Sequence, residues 1–95
     1  IGGNSLRDEG AMKLADIVTS SRSILHLDVS SNSITSKGLC ALARAVSQHT
    51  TLQEMELWGN RFDSAACLAW IPSLQFLKLD IAVQEVDGAY NAVRC

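Results

Sequence analysis

The chain has 95 residues, the length of one small domain. Hydrophobic residues make up 47% of it, enough to bury a core and too many for a disordered chain. The net charge is −2 with both signs mixed, so no basic stripe favours direct nucleic-acid binding, and no apolar run approaches the roughly 20 residues that span a bilayer.

The three cysteines, Cys40, Cys67 and Cys95, are widely spaced. An odd number without a C-x-x-C pair predicts free thiols in a reducing compartment. The sequence shows no N-x-[ST] glycosylation site and no leader that resembles a signal peptide, which fits an intracellular protein. Because the first residues already follow a repeat pattern and no initiator Met precedes them, we expect the C-terminal part of a longer array or a fragmentary gene model.

One spacing recurs through the chain. Residues 24–34 (ILHLDVSSNSI) fit the frame L-x-x-L-x-L-x-x-N-x-L, which is the spacing of one leucine-rich repeat. The frame returns at 52–62, and its Asn stands at Asn4, Asn32 and Asn60, two equal steps of 28 residues. The Asn side chains are expected to form a ladder of hydrogen bonds to backbone groups in the turns, which would otherwise be buried without partners.

Strands and helices are predicted to alternate. Each helix has apolar residues at i, i+3, i+4 and i+7, and the two sets match position for position. The elements in order are a strand end and Asn turn at 1–6, a helix at 8–20 with Ala11, Leu14, Ala15 and Val18 buried, a strand at 25–30, a helix at 36–48 with Leu39, Leu42, Ala43 and Val46 buried, and a strand at 53–58.

The helix starts follow from the position of the Asn. Asp8, Ser36 and Ser64 stand four residues after each repeat Asn, and their short side-chain oxygens make them the predicted N-caps. The third helix begins near Ser64 and is cut short by Pro72, because proline lacks a backbone donor and clashes with the preceding turn.

The C-terminal end departs from the frame. Leu74, Leu77 and Leu79 fit a last strand, but Ala82 stands where an Asn would follow, so a strand at 74–80 is left open. The dipeptide Asp87-Gly88 favours a two-residue turn, which predicts a hairpin of 81–86 with 89–93. The predicted domains are an array over 1–80, in units 1–23, 24–51, 52–73 and 74–80, and a hairpin tail over 81–95.

These patterns predict an α/β leucine-rich repeat solenoid. It would be a right-handed horseshoe fragment of about 28-residue repeats, with parallel strands on the concave side, helices on the convex side and a C-terminal hairpin cap. Arrays usually need about three units for stability, so we expect the isolated chain to be marginally stable or to associate.

The frame resembles the ribonuclease-inhibitor-like class of leucine-rich repeats, on the stretches LDVSSNSITSKGLCALARAV and MELWGNRFDSAACLAW. A closer resemblance, carried by WGNRFD (58–63), Cys67 and the tail DIAVQEVDGAYNAV, is to the C-terminal end of one family within that class. This resemblance implies a non-catalytic interaction protein of the cytoplasm and the nucleus or nucleolus, linked to ribosome production. The chain departs from that family in a shorter segment between Cys67 and Asp80.

Residues between the core leucines of each strand point to the concave face. An acidic face with an aromatic near its rim predicts a protein partner with a basic surface. The alternative is that Trp58 packs on the Gly59-Asn60 turn and the charges only solubilise the face. The candidate residues are His26, Asp28, Ser30, Glu54, Glu56, Trp58 and Lys78, with Phe76 and Asp80 if the last strand forms.

Catalysis and metal binding are disfavoured. The pair Glu54 and Glu56 lacks an accompanying nucleophile or phosphate loop, and His26 and His49 lack metal-ligand spacing to the cysteines. We expect no cofactor, metal, membrane or small-molecule substrate. Two alternatives remain: a GTPase-activating or other regulatory protein that uses Arg61 in trans, and a structural cap that closes a longer array.

Overall fold

A computed structural model describes residues 5–48 and 51–95; Asn4 and His49 lie outside these ranges. The elements in chain order are α1 (Arg7–Ser20), β1 (His26–Asp28), α2 (Ser36–Ser47), β2 (Glu54–Glu56), α3 (Ser64–Trp70), a 3-10 helix (Ile71–Gln75), β3 (Lys78–Leu79), β4 (Ile81–Val86) and β5 (Ala89–Arg94). Strands β1, β2 and β3 form a parallel sheet, and β4 and β5 form a separate antiparallel pair.

The core lies between the parallel sheet and the helices. Every residue of the two predicted helix faces is buried, because the 3.6-residue period places each set on one side of its helix. Met55 of β2 has no exposed surface, and neither do Val29 and Leu57, which directly follow β1 and β2; α3 supplies Trp70. None of the helices in the described ranges is long and apolar enough to cross a bilayer.

The predicted caps of α2 and α3 are wrong by one residue, and that of α1 by two. Thr35 and Asp63 cap α2 and α3, with the extended backbone of an N-cap, and Asp63 Oδ1 accepts a first-turn N–H at 2.8 Å. Ser36 and Ser64 are therefore the first helical residues. Asp8 lies inside the first turn of α1, and its carboxylate is used by the neighbouring repeat instead.

The last strand of the sheet forms in a different register from the predicted one. The frame places Leu77 beside Met55, whereas the structure pairs Met55 with Leu79, two residues later. Residues Ile71–Gln75 form the 3-10 helix that follows α3, so Leu74 belongs to this helix and keeps 39% of its surface exposed. Pro72 suits this segment, because its fixed φ and missing N–H fit the start of a helix.

The C-terminal hairpin has strands close to the predicted bounds, with β5 extending to Arg94. Asp87 and Gly88 have φ values of 52° and 81°, the left-handed dihedrals that a tight hairpin turn of this type needs. The backbone N–H of Tyr90 donates to Ser64 Oγ at 3.0 Å, so the hairpin lies against the start of α3.

Candidate functional site

The parallel register of the sheet brings side chains from three strands into rows. His26, Glu54 and Lys78 are neighbours across β1, β2 and β3, and Asp28 lies beside Glu56 in the next row. Alternate residues of these strands enter the core, so the rows lie on the other side of the sheet. We call this side the strand face. The strand register places His26, Asp28, Glu54, Glu56 and Lys78 on it, and Ser30 and Trp58, which follow β1 and β2, are predicted to continue it.

A charged network crosses the strand face. His26 Nδ1 lies 3.7 Å from Glu54 Oε1, and His26 Nε2 lies 3.4 Å from Glu56 Oε2. Lys78 Nζ lies 3.9 Å from the other carboxylate oxygen of Glu54. The side chains of the two glutamates keep 40% and 38% of their surface exposed, so a partner can reach both carboxylates.

Asp28 is held by its own turn. Its Oδ1 accepts the backbone N–H of Ser30 at 2.9 Å and the Ser30 hydroxyl at 2.6 Å. These two hydrogen bonds lower the pKa of Asp28 below its usual value, partial burial opposes them, and a hydrogen bond with the Glu56 side chain lowers the pKa further. Asp28 therefore stays negatively charged at neutral pH, and the hydroxyl of Ser30 is engaged with it.

Trp58 is half-buried at the end of β2, with part of the indole packed against the core. Its carbonyl accepts the backbone N–H of Ser31 at 2.9 Å. The next residue, Gly59, has φ +88° and touches Ser31 so closely that a Cβ would collide with the Ser31 side chain. The backbone of Trp58 is thereby fixed, and the residue as a whole is neither fully buried nor fully exposed.

The repeat asparagines link neighbouring turns. Asn60 Oδ1 accepts the backbone N–H groups of Asn32 and Ile34 at 3.0 and 3.1 Å, and Asn60 Nδ2 donates to the carbonyls of Val29 and Leu57, each at 2.9 Å. Asn32 is fully buried, and its Oδ1 accepts the backbone N–H of Leu6 in the preceding repeat at 3.2 Å. One amide side chain thus satisfies four backbone groups on two repeats.

Comparison with known proteins agrees with this geometry. A family model described as leucine-rich repeat matches residues 1–15 and 20–43. These two segments carry the leucine-rich repeat pattern. The chain is also 37% identical over 59 residues to the human (Homo sapiens) leucine-rich repeat-containing protein 34, covering 62% of this chain and 13% of that protein.

The rat (Rattus norvegicus) and mouse (Mus musculus) proteins of the same name are each 37% identical to the chain over 54 residues, covering 57% of it. The chain spans 13% of the length of these relatives. The closer resemblance seen in the sequence is therefore a resemblance to leucine-rich repeat-containing protein 34.

The sequence predicts Asp80 on the strand face if the last strand forms. In the structure, its carboxylate binds backbone groups instead. Its Oδ1 accepts the N–H of Leu57 at 2.7 Å and its Oδ2 that of Trp58 at 3.2 Å. The carboxylate therefore takes the place of a backbone acceptor, because the equivalent donor one repeat earlier, the N–H of Val29, bonds to the backbone carbonyl of Glu56. Phe76 precedes β3 and is 57% exposed, so it is not a strand residue either.

Asp8 has a role that the sequence does not predict. Its Oδ1 accepts the N–H groups of Thr35 and Gly38 at 2.7 and 3.1 Å, and its Oδ2 accepts the hydroxyl of Thr35. Burial raises the pKa of Asp8, but these hydrogen bonds together hold it below its usual value. A Cβ at Gly38 would lie 2.7 Å from Asp8 Oδ1, so the glycine leaves room for the carboxylate.

The remaining candidates are not drawn together. Arg61 is exposed, and its backbone N–H donates to Ile34 O at 2.8 Å. Burial raises the pKa of the Cys67 thiol, while Cys40 is half-buried and Cys95 exposed. Within 5–48 and 51–95, no three His, Cys, Asp or Glu side chains are grouped so that they could hold a metal ion.

Proposed function

We propose that the repeats form a non-catalytic protein-interaction scaffold, which binds a partner protein through the strand face. The observation that carries this proposal is the parallel register of β1, β2 and β3. It brings polar residues from distant parts of the chain into one accessible surface. Repeat arrays commonly use such extended surfaces for binding.

The charges of the strand face favour a partner with a basic surface. Three carboxylates, on Asp28, Glu54 and Glu56, face one ammonium group, on Lys78. A basic partner would gain from this excess of negative charge through faster encounter and correct orientation. The exposed part of Trp58 would add contact area, because large aromatics are frequent binding hot spots.

The strand face would be concave in this proposal. Helices are wider than strands, so side-by-side packing of α1, α2 and α3 curves the stack toward the sheet, as in the ribonuclease-inhibitor-like horseshoe solenoid. The resemblance to leucine-rich repeat-containing protein 34 leads us to propose a location in the cytoplasm or nucleus, including the nucleolus.

A structural cap is the second candidate, and one observation favours it. Asp80 engages the backbone donors of Leu57 and Trp58, and its own carbonyl accepts the N–H of Cys95 at 3.0 Å. The chain thereby leaves the parallel sheet and continues into the hairpin. In this alternative, the hairpin stabilises the repeats and the strand face binds no partner.

A quantitative pull-down from cell extract separates the two candidates. The baits are the wild type, the Glu56→Ala, Trp58→Ala double variant, and Lys13→Gln, Asp16→Asn as a matched double variant on exposed positions of α1. Circular dichroism first establishes that all three are folded. We expect proteins that bind the wild type and the α1 variant but not the strand-face variant.

Each candidate from the pull-down is then purified and its affinity for the three baits measured by calorimetry. Equal recovery on all three baits would move the binding site to the hairpin or the helices. Recovery of no specific protein, together with loss of stability when the hairpin is altered, would favour the structural cap.

A further inference from the structure

We infer that partner binding at the strand face is coupled to the protonation of His26, so that a basic partner binds more tightly when this imidazole is neutral. The inference rests on the proposed function, because it concerns the regulation of the same site. It starts from the position of the ring, which lies between two carboxylates of the neighbouring strand.

Both nitrogens of His26 face an acidic group. Nδ1 lies 3.7 Å from Glu54 and Nε2 lies 3.4 Å from Glu56, so one ring spans both side chains of β2 that point to the strand face. The ring is 49% exposed, and both glutamates are partly exposed. A basic side chain of a partner would approach the same carboxylate oxygens from the solvent.

The other charged groups near His26 come from all three strands. Asp28 is on the same strand, and Lys78 of β3 reaches Glu54 through the carboxylate oxygen that His26 does not contact. Asp28 is held by Ser30, and its pKa is lowered, so its charge does not change near neutral pH. The helices pack on the opposite side of the sheet.

The protonation state of the ring changes the charge that a partner meets. With a neutral imidazole, three carboxylates and one ammonium give the strand face a net charge of −2; with a charged imidazole the net charge is −1. Histidine is the side chain whose charge ordinarily changes between pH 5 and 8. A protonated His26 therefore competes with the basic groups of a partner for Glu54 and Glu56.

Competition of this kind is reciprocal. If a proton on His26 weakens the binding of a basic partner, the partner must also favour release of that proton. Two measurements then have to agree: affinity rises with pH, and binding releases protons. A purely structural role for His26 would alter folding without producing this pair of effects.

Isothermal titration calorimetry with an N-acetylated octalysine peptide tests the coupling, because lysine side chains do not titrate between pH 5.5 and 7.5 and the acetyl group removes the terminal amine. We expect the wild-type chain to bind about two- to fivefold more tightly at pH 7.5, the range that one exposed ion pair supplies. Titrations at pH 6.5 in two buffers of different ionisation enthalpy should show proton release.

Two substitutions fix the charge of the ring position. His26→Gln should bind with the wild type's pH 7.5 affinity at both pH values and release no proton, whereas His26→Arg should bind weakly at both. His49→Gln removes the chain's other histidine and should keep the wild-type pH dependence. Circular dichroism at both pH values verifies that each variant is folded.

The outcomes separate the inference from the function on which it rests. Suppose that octalysine binds the wild type and that the Glu54→Gln, Glu56→Gln double variant abolishes this binding. If the affinity of His26→Gln then depends on pH as the wild type's does, the coupling is wrong and the binding face stands. If folded wild-type protein fails to bind at either pH, both the coupling and the proposed basic partner are wrong.

Discussion

The two junctions of the parallel sheet use side chains to bond different parts of the backbone. Between the repeats that contain β1 and β2, Asn60 accepts two backbone N–H groups and donates to two carbonyls. Beyond β2, the carboxylate of Asp80 accepts the N–H groups of Leu57 and Trp58. The N–H of Val29, which is equivalent to that of Leu57 one repeat earlier, bonds instead to the backbone carbonyl of Glu56. The comparison shows that Asn60 links two turns, whereas Asp80 replaces a backbone acceptor of the parallel sheet.

An amide and a carboxylate also differ in the hydrogen bonds that they can make. An amide has both donor and acceptor, so Asn60 can bond to its own turn and to the preceding one. An ionised carboxylate only accepts, and Asp80 accordingly makes no side-chain bond to a carbonyl. The backbone carbonyl of Asp80 accepts the N–H of Cys95, which directly follows β5. The chain therefore leaves the array at Asp80.

The largest effect should come from Trp70, which packs α3 against α2. The indole is fully buried, and its Nε1 donates to the carbonyl of Leu39 in α2 at 3.1 Å. Trp70→Ala should lower the free energy of unfolding by about 3–5 kcal/mol through the cavity it creates. Urea unfolding followed by circular dichroism measures the change.

Trp70→Phe is the matched control for that prediction. It keeps most of the ring and removes the donor to Leu39, so its cost should be clearly smaller. Equal losses for the alanine and phenylalanine variants would show that the hydrogen bond, and not the packing, holds α3 against α2.

The Asn junction should be the next most sensitive. Asn60→Ala leaves four backbone groups without this partner and should cost about 1–3 kcal/mol in urea unfolding. Asn60→Asp keeps the acceptor for Asn32 and Ile34 but removes the donors to Val29 and Leu57. We therefore expect the Asp variant to fall between Ala and wild type; a loss as large as that of Ala would mean that the donors matter most.

The Asp80 junction should be less sensitive than the Asn junction, because the side chain serves two backbone groups and not four. Asp80→Ala should cost about 1–2 kcal/mol in the same urea experiment. Asp80→Asn retains an acceptor oxygen and should recover part of this loss. If Asp80→Ala destabilised the chain more than Asn60→Ala, the hairpin junction and not the Asn ladder would dominate the stability.

Local patterns were sufficient for the parts of the fold that depend on local geometry. The 3.6-residue period located the buried faces of α1 and α2, and Asp87-Gly88 located the turn of the hairpin. The caps of α2 and α3 lie one residue before the predicted positions, since the frame fixes the Asn but does not reveal where the turn ends.

The misplaced features depend on contacts between repeats. The register of β3 changes by two residues because the 3-10 helix after α3 takes up Leu74, and no spacing in the sequence reveals this. Asp80 was assigned to the strand face and Asp8 to its own helix, although each carboxylate binds backbone groups of a neighbouring repeat. The sequence signal for both roles is a short acidic side chain close to a turn of the repeat, where it can accept backbone N–H groups.

The smallest effect should come from Asp8, and it should depend on pH. Hydrogen bonds from Thr35 and Gly38 hold the pKa of Asp8 below its unfolded value of about 3.9, so the unfolded chain binds this proton more readily. The stabilisation is fully present above that value and is lost as the pH falls through the lower, folded-state pKa. Asp8→Asn should cost about 1 kcal/mol at pH 7, like the loss of an N-cap.

Thermal unfolding of wild type and Asp8→Asn between pH 7 and pH 2.5 measures this dependence. The two melting temperatures should converge as the pH falls below about 4, because the wild-type carboxylate then loses its charge. Asp16→Asn, an exposed position on the same helix, controls for the removal of one negative charge. A constant gap between wild type and Asp8→Asn would mean that the carboxylate acts through its shape and not its charge, and that the link between α1 and α2 resembles the neutral amide link at Asn60.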